Sequence, residues 1–338
     1  MAVKVAINGF GRIGRLVLRG IVETGRTDLM PVAINGASDI ETNVHLFRYD
    51  SVHGRFPGTV TVEGDTITIT HNGNSWGPIR MMADRDPAKL DFKGVDVVLE
   101  CTGSFTTKDK AMPLITAAGA RKVVISAPGE GVDATIVVGV NDAMLTPDMQ
   151  VISSASCTTN CLAPLAKVLH DSFGILRGYM VTIHAYTGDQ RLVDAHHKDM
   201  RRARAAAGSL IPTSTGAAKA VGLVLPALKG KLDGSSIRIP VQNVSMVSLD
   251  VDLSRATTAA EINAAMLAAS QGPMQGVLDY NTEPLVSIDF NHNPASCIFD
   301  ATQTAVVDGT FARVMGWYDN EWGFSLRMLD LAARMGAH

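Results

Sequence analysis

Residues 3–14 read Val3-Lys4-Val5-Ala6-Ile7-Asn8-Gly9-Phe10-Gly11-Arg12-Ile13-Gly14, and Ile13, Leu16, Val17 and Ile21 then recur at helical spacing. An apolar strand, a G-x-G-x-x-G turn and a helix in that order give each glycine a separate use. Gly9 permits the tight turn, Gly11 lets the backbone approach a pyrophosphate, and Gly14 allows close helix-to-strand packing. The anion rests on the helix N-terminus. The alternative is a glycine-rich turn that binds nothing.

Working outward, Pro31–Ile34 predicts a second strand, at whose end a dinucleotide fold places an acidic residue on the ribose hydroxyls. The chain has Asn35-Gly36-Ala37-Ser38 there. Asp39 is either the displaced carboxylate or, with Ser38-x-x-Glu41 as a capping box, part of the start of the helix carrying Val44 and Phe47. Val95–Leu99 and Val123–Ile125 predict buried strands ending in small polar residues, Thr102 and Ser126 among them, with a helix over Lys108–Ala118. Val62–Thr70, turning at Glu63-Gly64-Asp65, predicts an antiparallel insertion. The alternation indicates an α/β fold, a Rossmann-type dinucleotide-binding domain with a mostly parallel sheet and ligands at its carboxyl ends.

With 338 residues the chain suits two domains. The formal net charge of −3 gives no support to a polyanion partner, and Lys198, Arg201, Arg202 and Arg204 are the only basic concentration. Cysteines at 101, 157, 161 and 297 form no disulfide framework or paired metal-ligand spacing, so a metal site is not expected. No apolar run approaches the roughly 18 residues of a membrane helix, and no signal peptide precedes Val3, so a cytoplasmic location is expected.

Beyond about residue 155, Val247, Leu249, Val251 and Leu253 alternate with polar residues, indicating an α+β domain with a mixed or antiparallel sheet. Thr258-x-x-Glu261 is a capping box. Val151-Ile152 ends a strand and Leu162, Leu165 and Leu169 continue a helix, which sets Cys157 near the helix's first turn. There backbone N–H groups, with a histidine nearby, lower a thiol pKa from about 8.5 into roughly 3.5–7.5. A free cysteine is more often a small buried hydrophobe. His184, at a strand end before a loop, is the candidate base.

Together with Asn8–Arg15, the runs Ser156-Cys157-Thr158-Thr159-Asn160-Cys161, His184-Ala185-Tyr186-Thr187, Ile211–Lys219 and Trp317-Tyr318-Asp319-Asn320-Glu321-Trp322-Gly323 resemble the phosphorylating (type I) glyceraldehyde-3-phosphate dehydrogenase family, from residue 3 to about 330. The resemblance implies that Cys157 attacks D-glyceraldehyde 3-phosphate, that His184 takes the thiol proton, and that a hemithioacetal and then a thioester lead to 1,3-bisphosphoglycerate. It implies Thr187 and Arg238 for the substrate's C3 phosphate, and Ser156, Thr215, Gly216 and Arg204 for inorganic phosphate, with Thr158 also at the substrate. By their own residue types, Arg238 could pair with a buried acid, Thr215 could cap the helix Gly216–Leu225, and Asn320 could cap the last helix. By resemblance Asn320 holds the nicotinamide carboxamide, and Arg12, Ile13 and Arg85 join the expected cofactor contacts. The expected division is 1–155 for the dinucleotide, 156–320 for catalysis, and a helix at about 321–338 packing back on the first domain. Homotetramer and a part in glycolysis or gluconeogenesis are implied in the same way.

Members specific for NAD usually carry aspartate at the place of Gly36 and Leu-Pro at the place of Ala195-His196. The departures lead us to expect dual NAD/NADP use or NADP preference, with Ser38 and His196 near the 2′-phosphate. An erythrose-4-phosphate dehydrogenase is the alternative, against which Thr187 argues, since that relative typically loses this threonine. A nucleic-acid-binding or scaffold role ranks below both.

Overall fold

A computed structural model describes residues 2–337. Two compact units divide the chain: the first runs to Ile136, resumes over Asp142–Ala155 and takes in the chain from Ser325, while the second comprises Val137–Asn141 and Ser156–Phe324.

In the first unit the strand Val3–Asn8 lies between Leu29–Asn35 and Val97–Glu100, parallel to both. The nine-stranded sheet continues through Lys122–Ile125 and Val151–Ser153 on one side and through Asn74–Met82 on the other. Its central strands are continuous apolar runs because helices cover both faces of a parallel sheet; Val97, Val98 and Leu99 are fully buried. The strands Thr59–Glu63 and Thr66–His71 extend it as an antiparallel hairpin turning at Gly64. The region 108–118 is two short helices, Lys108–Ala111 and Pro113–Thr116, not the single helix expected. Pro113 has no N–H to continue the first and opens the second. From Ser325 on, the helix Trp322–Gly336 packs on the helix Arg12–Glu23, where a Cβ on Gly20 would come within 2.9 Å of Leu326 and Leu329.

Gly14 shows why the turn needs its glycines. A Cβ there would stand 2.0 Å from the carbonyl oxygen of Gly9, a backbone atom that cannot yield, and Gly9 has φ +97°. Overpacking of this kind costs roughly 1–3 kcal/mol. Gly14→Ala is expected to lower stability by about 2 kcal/mol in denaturant titration and to weaken dinucleotide binding; unchanged values for both would refute this account of the turn.

In the second unit, an eight-stranded mixed sheet runs in the order Ile211–Ser214, Leu232–Ile239, Ile175–Ala185, Ser245–Leu253, Phe311–Tyr318, Cys297–Asp300 and Leu278–Asn281, with Ala305–Val307 also paired to Phe311–Tyr318. Ser245–Leu253 alternates buried and half-buried, as its sequence predicts. The helix Cys157–Phe173 is buried along most of its length, and Thr258 with Glu261 forms the expected capping box of Ala259–Gln271.

Candidate active site

The strand ends of the first unit open onto a cavity of about 650 Å³. Gly9, Gly11, Gly36, Ser38, Arg85 and Thr102 line it, together with Asn8, Asn35 and Asn43. Nothing lies within 4 Å of where a Gly11 Cβ would be, so the backbone there is open to close approach. Arg12 instead reaches Asp50 at 2.5 Å, and Ser126 donates its N–H to the Glu100 carbonyl at 2.9 Å. Ile13 is half-buried in the first helical turn; it, Arg12 and Ser126 are not among the residues lining the cavity.

The start of the helix Ile40–Arg48 corrects the capping-box expectation. Asp39 is the N-cap, accepting the Thr42 N–H at 2.8 Å, because its backbone is extended and its carboxylate is the stronger acceptor. Asp39 is thereby engaged at the helix start and is not among the residues lining the cavity. Ser38 contributes its carbonyl to Asn43 at 2.9 Å. A Cβ at Gly36 would meet Asn43 Nδ2 at 2.7 Å, so Asn43 fills the space a side chain at 36 would need.

In the second unit Ser156 caps the helix Cys157–Phe173, accepting the Thr159 N–H at 3.0 Å, which sets Cys157 at the first helical position. Its sulfur lies 3.5 Å from His184 Nε2. His184 Nδ1 lies 2.7 Å from the Ala185 carbonyl oxygen; protonated there, the ring leaves its Nε2 lone pair for the thiol, the tautomer that proton transfer from Cys157 requires. Strand register adds the third member: His184 pairs with Arg238 across parallel strands, so both side chains point to one face. Arg238 Nη1 lies 2.6 Å from His184 Nδ1 and donates to the same Ala185 oxygen at 3.0 Å.

Burial, and then the Arg238 charge, bring the His184 pKa down to about 3, so the imidazole is neutral and able to accept a proton. Burial pushes the Cys157 thiol up, against the opposing pull of Arg238 and of the Thr158 N–H. This corrects the expectation of a lowered thiol pKa. The helix terminus acts in the expected direction, but the dehydration of a thiolate outweighs it.

Among the described residues no acid forms an ion pair with Arg238. Its Nη1 donates to the Ala185 carbonyl and lies beside the neutral His184, and its buried Nε has no hydrogen-bond partner, which leaves a cation available to an anion. Thr187 donates its N–H to Gln190 at 2.8 Å. Gly216, not Thr215, is the N-cap of the helix Ala217–Val224, although Thr215 Oγ1 accepts the Ala217 N–H at 3.2 Å. The Thr158 hydroxyl is hydrogen-bonded to Tyr318 Oη at 2.8 Å. Arg204 forms an exposed pair with Asp194 at 2.8 Å and is not among the residues lining the neighbouring cavity, where Arg191 and Arg202 stand with Asp189, His196 and Ser214. Asn320 does not cap the last helix: Asp319 accepts the Glu321 and Trp322 N–H groups, while buried Asn320 accepts from Ser245 Oγ at 2.8 Å.

Sequence reasoning assigned no part to Tyr318. Fully buried, it bridges Thr158 and Thr182 through its hydroxyl and sets its ring edge-on to His184 at 5.9 Å, fixing the plane of the imidazole. Its signal was present in the run Trp317–Gly323, but a tyrosine there reads equally as core.

The family model described as the C-terminal domain of glyceraldehyde 3-phosphate dehydrogenase matches residues 156–320, the stretch carrying Cys157, His184 and Arg238, and the model of its NAD binding domain matches residues 3–108. The chain belongs to the glyceraldehyde-3-phosphate dehydrogenase family. It is 60% identical over 99% of both chains to the glyceraldehyde-3-phosphate dehydrogenase of Xanthobacter flavus, and 60% identical at the same coverage to that of Cereibacter sphaeroides. The relative from Geobacillus stearothermophilus is 53% identical over 98% of both chains. The match to the NAD binding domain falls within the first unit, and the cysteine–histidine contact lies within the match to the C-terminal domain.

Proposed function

We propose that the protein oxidises D-glyceraldehyde 3-phosphate to 1,3-bisphosphoglycerate with NAD or NADP and inorganic phosphate. The observation that carries this reading is the 3.5 Å contact of Cys157 with a neutral His184 in a chain of this family. Cys157 Sγ attacks the aldehyde carbon while its proton passes to His184 Nε2 and on to the carbonyl oxygen, giving a hemithioacetal. The dinucleotide, when bound, accepts the hydride that converts it to a thioester. His184 takes the hydroxyl proton in that step, and the Cys157 N–H at the helix start favours charge on the oxygen. Inorganic phosphate then displaces Cys157, whose sulfur regains its proton from His184.

Arg238 and Thr187 are assigned to the C3 phosphate, and Ser156, Thr215, Gly216 and Arg204 to the attacking phosphate. The glycines of the first turn, Thr102 and Asn320 are assigned to the cofactor, Asn320 at the carboxamide. NADP use draws support from Gly36, which brings no carboxylate, and from Ser38 and the exposed Arg85, which line the same cavity. His196 belongs to this reading only through a neighbouring subunit of a homotetramer. Exposed Leu192, Val193, Met200 and Leu210 favour such an assembly, since apolar side chains grouped in one segment gain by being covered. Among the described residues no helix is long and apolar enough to cross a membrane, and a cytoplasmic setting, in glycolysis or gluconeogenesis, completes the reading.

Paired kinetics test it. Reduction of both cofactors is expected to depend on glyceraldehyde 3-phosphate and phosphate, and kcat/KM for NAD to exceed that for NADP by less than about a hundredfold, or roughly 2.7 kcal/mol. A larger NAD preference rejects dual use, and turnover that ignores phosphate rejects the reaction itself. Faster turnover of erythrose 4-phosphate would transfer the assignment to that dehydrogenase.

A further inference from the structure

Beneath the cavity of the first unit, three buried side chains join the ends of adjacent parallel strands. Asn35 Oδ1 accepts the Asp84 N–H at 3.0 Å, and Asn35 Nδ2 donates to Asn8 Oδ1 at 2.8 Å. Asn8 Nδ2 donates to Glu100 Oε2, and Glu100 Oε1 accepts the Thr102 N–H at 2.8 Å and the Thr102 hydroxyl. Glu100 and Asn8 are 1% exposed and Asn35 is 6% exposed.

The direction of the backbone and amide links is fixed; only the Thr102 hydroxyl can turn. Backbone N–H groups at Asp84 and Thr102 can only donate, so hydrogen bonds enter the chain from both ends and meet at one group. That group has to accept from both sides, which a carboxylate does and an amide or a protonated acid does not. Turning Asn35 over would set its Nδ2 against the Asp84 N–H, so the asparagines cannot absorb a donor at position 100. Asn8, Asn35, Asp84 and Thr102 all line the cavity, and Gly36 and Arg85 each follow a member of the chain directly.

We infer that Glu100, as a carboxylate, is a positioning residue for the dinucleotide: it orients Asn8 and Asn35 and so holds Thr102, Gly36 and Arg85 where the cofactor meets them. The inference rests on reading this cavity as the dinucleotide site. Burial raises the Glu100 pKa to about 7, against the pull of its hydrogen bonds from Thr102 and Asn8, so the arrangement is open to protonation within the ordinary pH range. The groups facing Glu100 are Asn8 on one neighbouring strand, the Ser126 backbone beyond the other, and Cys101 and Thr102 on its own segment. Cys101 is kept neutral, its thiol pushed up by burial and by the Glu100 charge. The charged side chains of the cavity wall are Arg15, Asp84 and Arg85, and none of them is among the causes of the Glu100 shift. Sign follows directly: below about pH 7 Glu100 gains a proton, one incoming donor loses its acceptor, and the wall loosens.

Equilibrium binding of NAD, which does not itself titrate here, tests the inference on the full-length protein. Saturable binding to the unmodified protein at pH 8 establishes the site independently of Glu100. Its Kd is expected to rise roughly tenfold as pH falls from 8 to 5.5. Glu100→Gln is expected to raise the Kd and the KM for NAD at pH 8 by a similar factor, with the change falling on KM and not on kcat, and to leave a pH-independent Kd. A variant that binds NAD as the unmodified protein does, or that retains the pH dependence, overturns the inference. So does tighter binding at low pH in the unmodified protein, a measurement that needs no variant to fold.

Discussion

Replacing Cys157 by serine is expected to lower kcat by at least about 10⁴-fold, or some 5 kcal/mol of transition-state stabilisation. Three features of the site multiply this loss. A serine hydroxyl ionises far less readily than a thiol, and His184, held neutral with a pKa of about 3, is too weak a base to compensate. The oxygen ester formed from a serine would also resist displacement by phosphate more than a thioester does. Cys161 provides the comparison within the same helix. It is fully buried, with its sulfur 3.7 Å from the Gly316 carbonyl, and it and Cys297 are packed around the space left by Gly316. Cys161→Ser is therefore expected to reduce stability but keep kcat within about threefold, since it alters only packing. Steady-state kinetics on both variants, with circular dichroism to show that each is folded, check the pair; equal losses of kcat would contradict the assignment.

What could be read in advance was local. The glycine turn and the setting of Cys157 depend on residues within one strand–turn–helix, where each side chain's use follows from its immediate neighbours. His184 was legible as a residue at a strand end, but its partner was not: Arg238 reaches it through the register of two strands 54 positions apart. Arg202 and Arg204 both pair with acids of their own loop, Asp189 and Asp199 for the first and Asp194 for the second, contacts that their spacing in the sequence does not display. Caps went astray at Ser38, Thr215 and Asn320 for a common reason. Each has a competing acceptor or cap next to it, Asp39, Gly216 and Asp319 respectively, and a shift of one residue decides which is used. The thiol pKa was misjudged because the helix terminus is visible in sequence whereas burial is not. Glu100 was hidden altogether, since the relay exists only once the strands carrying Asn35, Asn8 and Glu100 lie side by side in that order.

His184→Gln is expected to reduce kcat by about 10²–10³-fold, the usual contribution of a positioned acid–base group, and to change how reactivity depends on pH. In the unmodified protein the proton leaving Cys157 moves to His184, 3.5 Å away, so no proton is exchanged with solvent. Attraction between the resulting thiolate and imidazolium, about 4 kcal/mol at an effective dielectric near 20, recovers part of what burial takes from both charges. With His184 neutral above about pH 3 and the thiol raised by burial, the pair keeps one composition across the physiological range. Its alkylation by iodoacetamide is thus expected to vary little between pH 5.5 and 8.5. Glutamine accepts no proton, so the variant's thiolate forms only by loss to solvent, and its alkylation rate is expected to climb about tenfold per pH unit up to pH 9 without a plateau. The two profiles converge at alkaline pH and separate most at low pH. Parallel profiles for the two proteins would mean that His184 is not the acceptor and that the Cys157 proton leaves by another route.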